Sequence, residues 1–423
     1  MTTKITTLAN GLCVVSDHMA HLETSSLGVW VATGARHEAA TEHGISHLLE
    51  HMAFKGTGHR TARAIAEEIE SVGGELNAAT SLESTAYFAR ILKGDEGVAL
   101  EIIADILQNS RFDENDLERE REVILQEIAA TRDSPDDIGY DILQEVAFPE
   151  QAVGRAILGT EASVKSFDRA KLNAFLTRHY VPERMIVSAA GAVHHDRLVR
   201  HVEALFDGLS RGGERGREEA RYVGGVGFSQ RRFEQSHLML GFEGPSYHAD
   251  DFFAAQVFSG LIGGGMSSRL FQEVREKRGL CYSIYSSAWA LADCGLFSIH
   301  AATGTDMMTE LSEVVAKELV EVAVKGATPA EIERAKAQLK AGLLMGLESS
   351  SARAEQMARH IMGYGRVIPA DEIIRRVDAV GANEVKAFAR QLIAGKPSVV
   401  VVGSGRKSRE QAEHLAAVIG ARS

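Results

Sequence analysis

The chain has 423 residues, 45% of them hydrophobic and 25% charged; this is long enough for two ordinary domains and excludes a fibrous or disordered polymer. Its 58 acidic and 46 basic side chains give a formal charge of −12, so nucleic acid is not expected as a partner, and basic ligands are favoured over acidic ones. Three scattered cysteines, Cys13, Cys281 and Cys294, form neither a disulfide framework nor a thiolate metal cluster, and they suit a reducing compartment.

From the N-terminus, "MTTKITTLANGLCVVSDHMA" lacks the basic start, apolar stretch and cleavage site of a secretory signal, so a cytoplasmic location is expected. No run is long enough for a spanning helix, and "SVVVVG" near the C-terminus is strand-sized, so membrane insertion is not expected. "CVVSD" and "SLGVWVAT" read as successive strands. In "GISHLLEHMAF" the apolar residues Ile45, Leu48, Leu49, Met52 and Phe54 recur at helical spacing. His47 and His51 then stand at i and i+4, one turn apart on one face, where two imidazoles can hold one metal ion. Glu50, three residues after His47, lies beside such an ion without having to ligate it, and can take a proton from an attacking water and return it to a leaving amine. A histidine pair on an amphipathic helix is by itself more often structural, so the reading depends on a third ligand.

"GELNAAT", 74 to 80, is a short polar–apolar alternation after Gly73-Gly74 and reads as a strand. "LEREREVILQEIAATRDSPDD" reads as a helix with Val123, Ile124 and Ile128 on its apolar face. Glu120 and Glu127, two turns apart, share one side of it, and either is a candidate third ligand. Asp137 and Asp141 follow at i and i+4 on the continuing helix "PDDIGYDILQEV". His43 and His59 flank the histidine pair and could compete as ligands.

Residues 211–227, rich in Gly, Arg and Glu, read as a linker between 1–210 and 228–423, and the order of elements repeats across it. "LGVWVATGARHEAA" is echoed by "LMLGFEGPSYHADD", "FDENDLERERE" by "ATPAEIERAKA", and "RMIVSAAGAV" by "PSVVVVGSG". The expected fold class is α+β: two homologous, duplicated domains, each a mainly antiparallel sheet packed with helices. In the second half "LIGGGMSSRLF", 261 to 271, is the expected counterpart of the histidine helix, with Gly and Ser in place of His, Glu and His.

The order H-x-x-E-H, with Glu127 lying 76 residues beyond His51, resembles the insulinase and pitrilysin family of zinc peptidases, whose glutamate ligand follows the motif by about 75 residues. The likeness runs through "HLLEHMAFKGT", "LNAATSLESTAYFAR", "LEREREVILQEI" and "AVGRAILGT", and is nearest to the beta subunit of the mitochondrial processing peptidase and its bacterial homologues. The resemblance implies one zinc ion per chain on His47, His51 and Glu127, with Glu50 and Glu120 catalytic. It implies that the strand carrying Asn77 and Ala78 is an edge on which substrate pairs, and that Asp137 and Asp141 hold a basic residue of a presequence-like peptide. From "VREKRGLCYSI" it implies that Arg275 binds substrate while Tyr282 donates to an oxyanion. It also implies a homodimer, or a heterodimer with an inactive homologue, enclosing the peptide in a chamber. The rival reading is a silent core or scaffold subunit; members of that kind lose the metal residues, which are all present here.

Overall fold

The apolar runs of the first half become a six-stranded sheet. In this computed structural model, which describes residues 3–212 and 218–420, its strands are β1 (Thr3–Thr7), β2 (Cys13–His18), β3 (Thr24–Val31), β4 (Glu75–Thr80), β5 (Thr85–Leu92) and β6 (Met185–Gly191). They lie in the order β1-β2-β6-β3-β5-β4, with only the β2/β6 pair parallel. The second half builds a sheet from β7 (Gly225–Gly244), β8 (Cys281–Ala290), β9 (Gly295–Thr303) and β10 (Ser398–Ser404), in the order β10-β7-β9-β8.

The long strand β7 does two jobs. Its residues 225–229 run parallel to β10, while residues 237–241 return antiparallel to β10 on its other side and continue into pairing with β9. The two parts of β7 therefore correspond to β2 and β3, β10 to β6, β9 to β5 and β8 to β4. The repeat seen in the letters is a repeat of topology, mainly antiparallel in both halves. Between the β3-like and β4-like strands of the second half lie the helix Phe252–Gly263 and the helical turn Phe271–Glu276; the first of them, in the place of the histidine helix, shares only residues 261–263 with the 261–271 counterpart expected from sequence. It contains no His, Glu, Asp or Cys, because its buried Ala255, Val257, Phe258 and Ile262 serve packing.

Compact units do not follow the linear division at 1–210 and 228–423. One unit comprises 1–128, 156–217 and 345–368; the other comprises 129–155, 218–344 and 369–423. The reason is visible in the strands, which are buried on both faces and need a second cover. In the first unit Leu27, Val29 and Val31 face one core, while Val15, Trp30, Ala86 and Ile186 pack against Ala354, Met357 and Ala358 of the helix Ser350–Tyr364. That helix is fixed by Arg353, whose guanidinium reaches Asp17 at 2.7 Å with both side chains buried, and by Ser188 Oγ donating to the Ala354 carbonyl at 2.7 Å. In the second unit the matching cover is the helix Pro135–Ala147. It comes close because Gly139, Gly227 and Gly241 present no side chain: a Cβ on Gly139 would stand 2.0 Å from Met239 Cε, and one on Gly227 2.5 Å from Ile142 Cγ2.

Of the expected linker, residues 213–217 lie outside the described residues, and Gly225–Gly227 already belong to β7. Among the described residues no helix is long and apolar enough to cross a membrane.

Candidate metal centre

The helix Ile45–Met52 is short, and its start is set by a carboxylate. Gly44 takes φ +94°, a left-handed conformation in which a Cβ would meet Gly159 Cα at 2.8 Å, so glycine is required there. The buried Glu38 accepts hydrogen bonds from the backbone N–H of Gly44 at 2.7 Å and of Ser46 at 2.8 Å, satisfying donors that a helix start leaves open. Ile45, Leu48, Leu49 and Met52 enter the core, which turns His47, Glu50 and His51 to the other side.

The helix Glu114–Asp133 brings the partners. Its buried side is Leu117, Glu120, Ile124 and Ile128; Val123, expected on that face, is 38% exposed, because the 3.6-residue period places it beside the stripe. Glu127 Oε2 lies 3.7 Å from His47 Nε2 and 3.5 Å from His51 Nε2. It is buried and has no hydrogen-bond partner. These separations are close to the edge of a tetrahedron around an ion bound at about 2.0–2.1 Å. Burial, with His51 adding to it, pushes His47 down to about 4, so its ring is neutral at pH 7, the form that ligates. A divalent cation therefore fits these three atoms, and it would satisfy the otherwise orphaned carboxylate oxygen.

Around the triad stands a second ring of contacts. Glu120 accepts from His51 Nδ1 at 3.0 Å, leaving Nε2 directed at Glu127, and its other oxygen receives Lys55 Nζ at 2.7 Å. Carboxylate support of this kind fixes the tautomer and orientation of a ligating imidazole. Glu120 thus touches a candidate ligand and, although a candidate third ligand from its spacing, is not one of the converging triad; the resemblance implied a catalytic role for it. Lys55 and Glu38 were missed by sequence reasoning; Lys55 follows His51 by four residues, which was the available signal. Glu50, half-buried, sits near two hydroxyls, Tyr87 and Tyr180, that bond each other at 3.0 Å. Burial, assisted by the Glu50 charge, holds both phenols protonated, Tyr180 being pushed up to about 12.

The remaining candidates fall elsewhere. His43 Nε2 bonds the Ala156 carbonyl at 2.6 Å, and neither it nor His59 joins the triad. Asn77 and Ala78 lie on β4, which is the edge of its sheet; Asn77 is exposed, and its own Oδ1 accepts the Ala78 N–H at 2.9 Å. Asp137, exposed, and Asp141, half-buried, occupy the helix Pro135–Ala147 of the second unit. Arg275 and Tyr282 also belong to that unit and come together, the guanidinium stacking 4.6 Å from the Tyr282 ring centre. Arg275 sits in a π-helical turn, Phe271–Glu276, and Tyr282 is the extra residue of a bulge where Cys281 and Ser283 pair with Thr303 and Ala302. Both irregularities commonly re-aim functional side chains, and Tyr282 is 78% exposed.

Known proteins share the sequence pattern and the fold of this chain. The profile of the family described as Insulinase (Peptidase family M16) matches residues 13–161, and that described as Peptidase M16 inactive domain matches 166–339. An uncharacterized zinc protease of Mycobacterium tuberculosis H37Rv is 39% identical over 421 residues, covering 98% of this chain and 96% of the relative. One from Rickettsia felis is 37% identical over 94% of this chain and 97% of its own length. The crystal structure of a protease from Helicobacter pylori shares the fold with a TM-score of 0.87 at 23% identity, covering 95% of this chain and 99% of that one. With full-length relatives at this identity and both halves matched by its profiles, the chain belongs to the insulinase family of peptidases.

Proposed function

We propose that the protein is a zinc-dependent endopeptidase that hydrolyses short or unfolded peptides. The observation that carries this reading is the orphaned Glu127 oxygen facing two imidazole nitrogens, with Glu50 on the same helix as the imidazoles. His47, His51 and Glu127 would hold the ion. When bound, zinc acts as a Lewis acid that polarises the scissile carbonyl and makes water acidic enough to attack near neutral pH.

Glu50 accepts a proton from the attacking water as the carbon–oxygen bond forms, and delivers it to the amide nitrogen as the carbon–nitrogen bond breaks. Glu120 holds the His51 ring, and Lys55 holds Glu120. Tyr282 donates to the oxyanion and Arg275 binds substrate; their irregular backbone setting supports these roles. Asn77 and Ala78 offer the edge strand for a peptide to pair with. A second chain, identical or homologous, completes the chamber. The purified protein should cleave an unfolded basic peptide, lose that activity to a chelator and regain it with zinc; chelator-resistant cleavage would sink the reading.

Glu120→Gln is expected to weaken metal affinity by about 10-fold to 100-fold, because the amide is a poorer acceptor for the His51 N–H. Its loss of rate at saturating zinc should be smaller than that of Glu50→Gln. An unchanged zinc dissociation constant, measured by competition with a chelating dye, would show that the His51 contact is idle.

Asp141 carries the substrate preference. Burial, then the charges of Asp137 and Glu145, push its carboxyl up to about 6. A carboxyl whose folded pKa lies above its unfolded value of about 4 destabilises the chain when ionised, so this contribution to stability falls as pH rises through that interval. Asp141→Asn should therefore be neutral near pH ~4 and stabilising by up to about 2–3 kcal/mol above pH ~7, read from urea melts at both pH values. A basic side chain of the substrate supplies the missing counter-charge in the parent, so the same variant should raise KM for basic peptides more than for neutral ones. Equal KM changes for both would remove Asp141 from substrate recognition.

A further inference from the structure

A second convergence of ligand atoms lies in the second unit. His237 on β7 and His300 on β9 are diagonal neighbours on one sheet face, since His237 pairs with Ala302 and His300 with Met239. Over them stands Asp136, in the first turn of the helix Pro135–Ala147. His237 Nδ1 is 3.1 Å from His300 Nε2, and Asp136 Oδ1 is 3.3 Å from the first and 3.0 Å from the second. Gly139 allows this approach, because any Cβ there would strike Met239, the residue opposite His300.

Three atoms at the corners of so small a triangle are poorly served by hydrogen bonds alone. The nitrogen-to-nitrogen contact needs a proton on one ring, and each nitrogen also needs one to bond the carboxylate; two neutral rings cannot supply all three edges. A cation at the centre of the face satisfies all three lone pairs at once. The side chain of His300 is only 4% exposed, and its other nitrogen, Nδ1, makes no hydrogen bond, so its polar bonding is aimed wholly into this triangle through Nε2. The Tyr285 and Tyr140 rings, 5.1 Å and 6.0 Å away between centres, hold its plane. Asp136, whose side chain is 52% exposed, is the ligand that meets solvent and gives an ion its way in.

We propose that Asp136, His237 and His300 form a second divalent transition-metal site, distinct from the His47–His51–Glu127 triad. Two imidazoles and a carboxylate suit zinc or its neighbours better than calcium or magnesium, which take oxygen ligands. The ion clips the first turn of the helix Pro135–Ala147 to β7 and β9 and offsets part of the acidic charge that Asp137 and Asp141 add to that helix.

Zinc alone is the probe, applied to the stripped full-length chain and followed by elemental analysis in one free-zinc buffer. The parent should hold about two ions, and Asp136→Ala and His300→Gln about one each, as should His51→Asn. Added zinc should raise the thermal midpoint of His51→Asn, through the second site, but that of an Asp136→Ala/His51→Asn double variant not at all. Asp136 is exposed enough for its variant to fold even if the His300 variant does not. The proposal is overturned if the parent holds about one ion that disappears in His51→Asn, or if Asp136→Ala keeps the parent's content. In the first case the triad reading stands, and the three residues form only a hydrogen-bonded relay.

Discussion

Glu50→Gln is expected to keep its metal and lose turnover by on the order of 10²-fold to 10⁴-fold, equivalent to about 3–5 kcal/mol of activation free energy. The substitution preserves shape and removes only the ability to accept a proton. Metal content should not change, because Glu50 is not one of the three groups whose ligand atoms converge. KM should move little, since the lost interaction develops only as the attacking water is deprotonated. Near-normal turnover with full metal would give the proton to another group, and loss of metal would make Glu50 a ligand.

How much of this was legible before folding depends on the distance over which each signal acts. His47, Glu50 and His51 lie within one helical turn and a half, and the 3.6-residue period alone puts them on one side. Glu127 could be singled out only by its count from His51 in a family of known spacing, because a glutamate in "LEREREVILQEI" looks like any solvated charge. Glu38 was not legible: it caps the helix through a loop, and loop geometry has no period. The exchange of residues 129–155 and 345–368 between the compact units was hidden for a related reason. Reading by segments assumes that a domain is contiguous, whereas strands buried on both faces recruit whichever helix can reach them. Asp136, His237 and His300, more than 60 residues apart in each step, have no spacing to read; a parallel-and-antiparallel β7 brings them together.

His51→Asn and Glu127→Gln are expected to lose most of the ion from the first site, and with it essentially all zinc-dependent cleavage. Two remaining ligands hold zinc far more weakly than three, and the open position needed for substrate cannot make up the difference. The two variants should nevertheless differ from Glu50→Gln in a way that activity cannot show. In the metal-free parent the Glu127 Oε2 atom is buried without a hydrogen-bond partner, so metal binding relieves an unfavourable arrangement as well as adding bonds. Zinc at about 100 times its dissociation constant stabilises a chain by roughly 2.7 kcal/mol per site, visible as a raised unfolding midpoint. That increment should survive in Glu50→Gln. In Glu127→Gln the increment from this site should vanish, while the metal-free chain should differ little in stability from the metal-free parent, because the Glu127 side chain is 41% exposed and only its Oε2 atom is buried without a partner. If both ligand variants keep the parent's metal content and its zinc-dependent midpoint at this site, the ion lies elsewhere and Glu127 is an ordinary helix carboxylate.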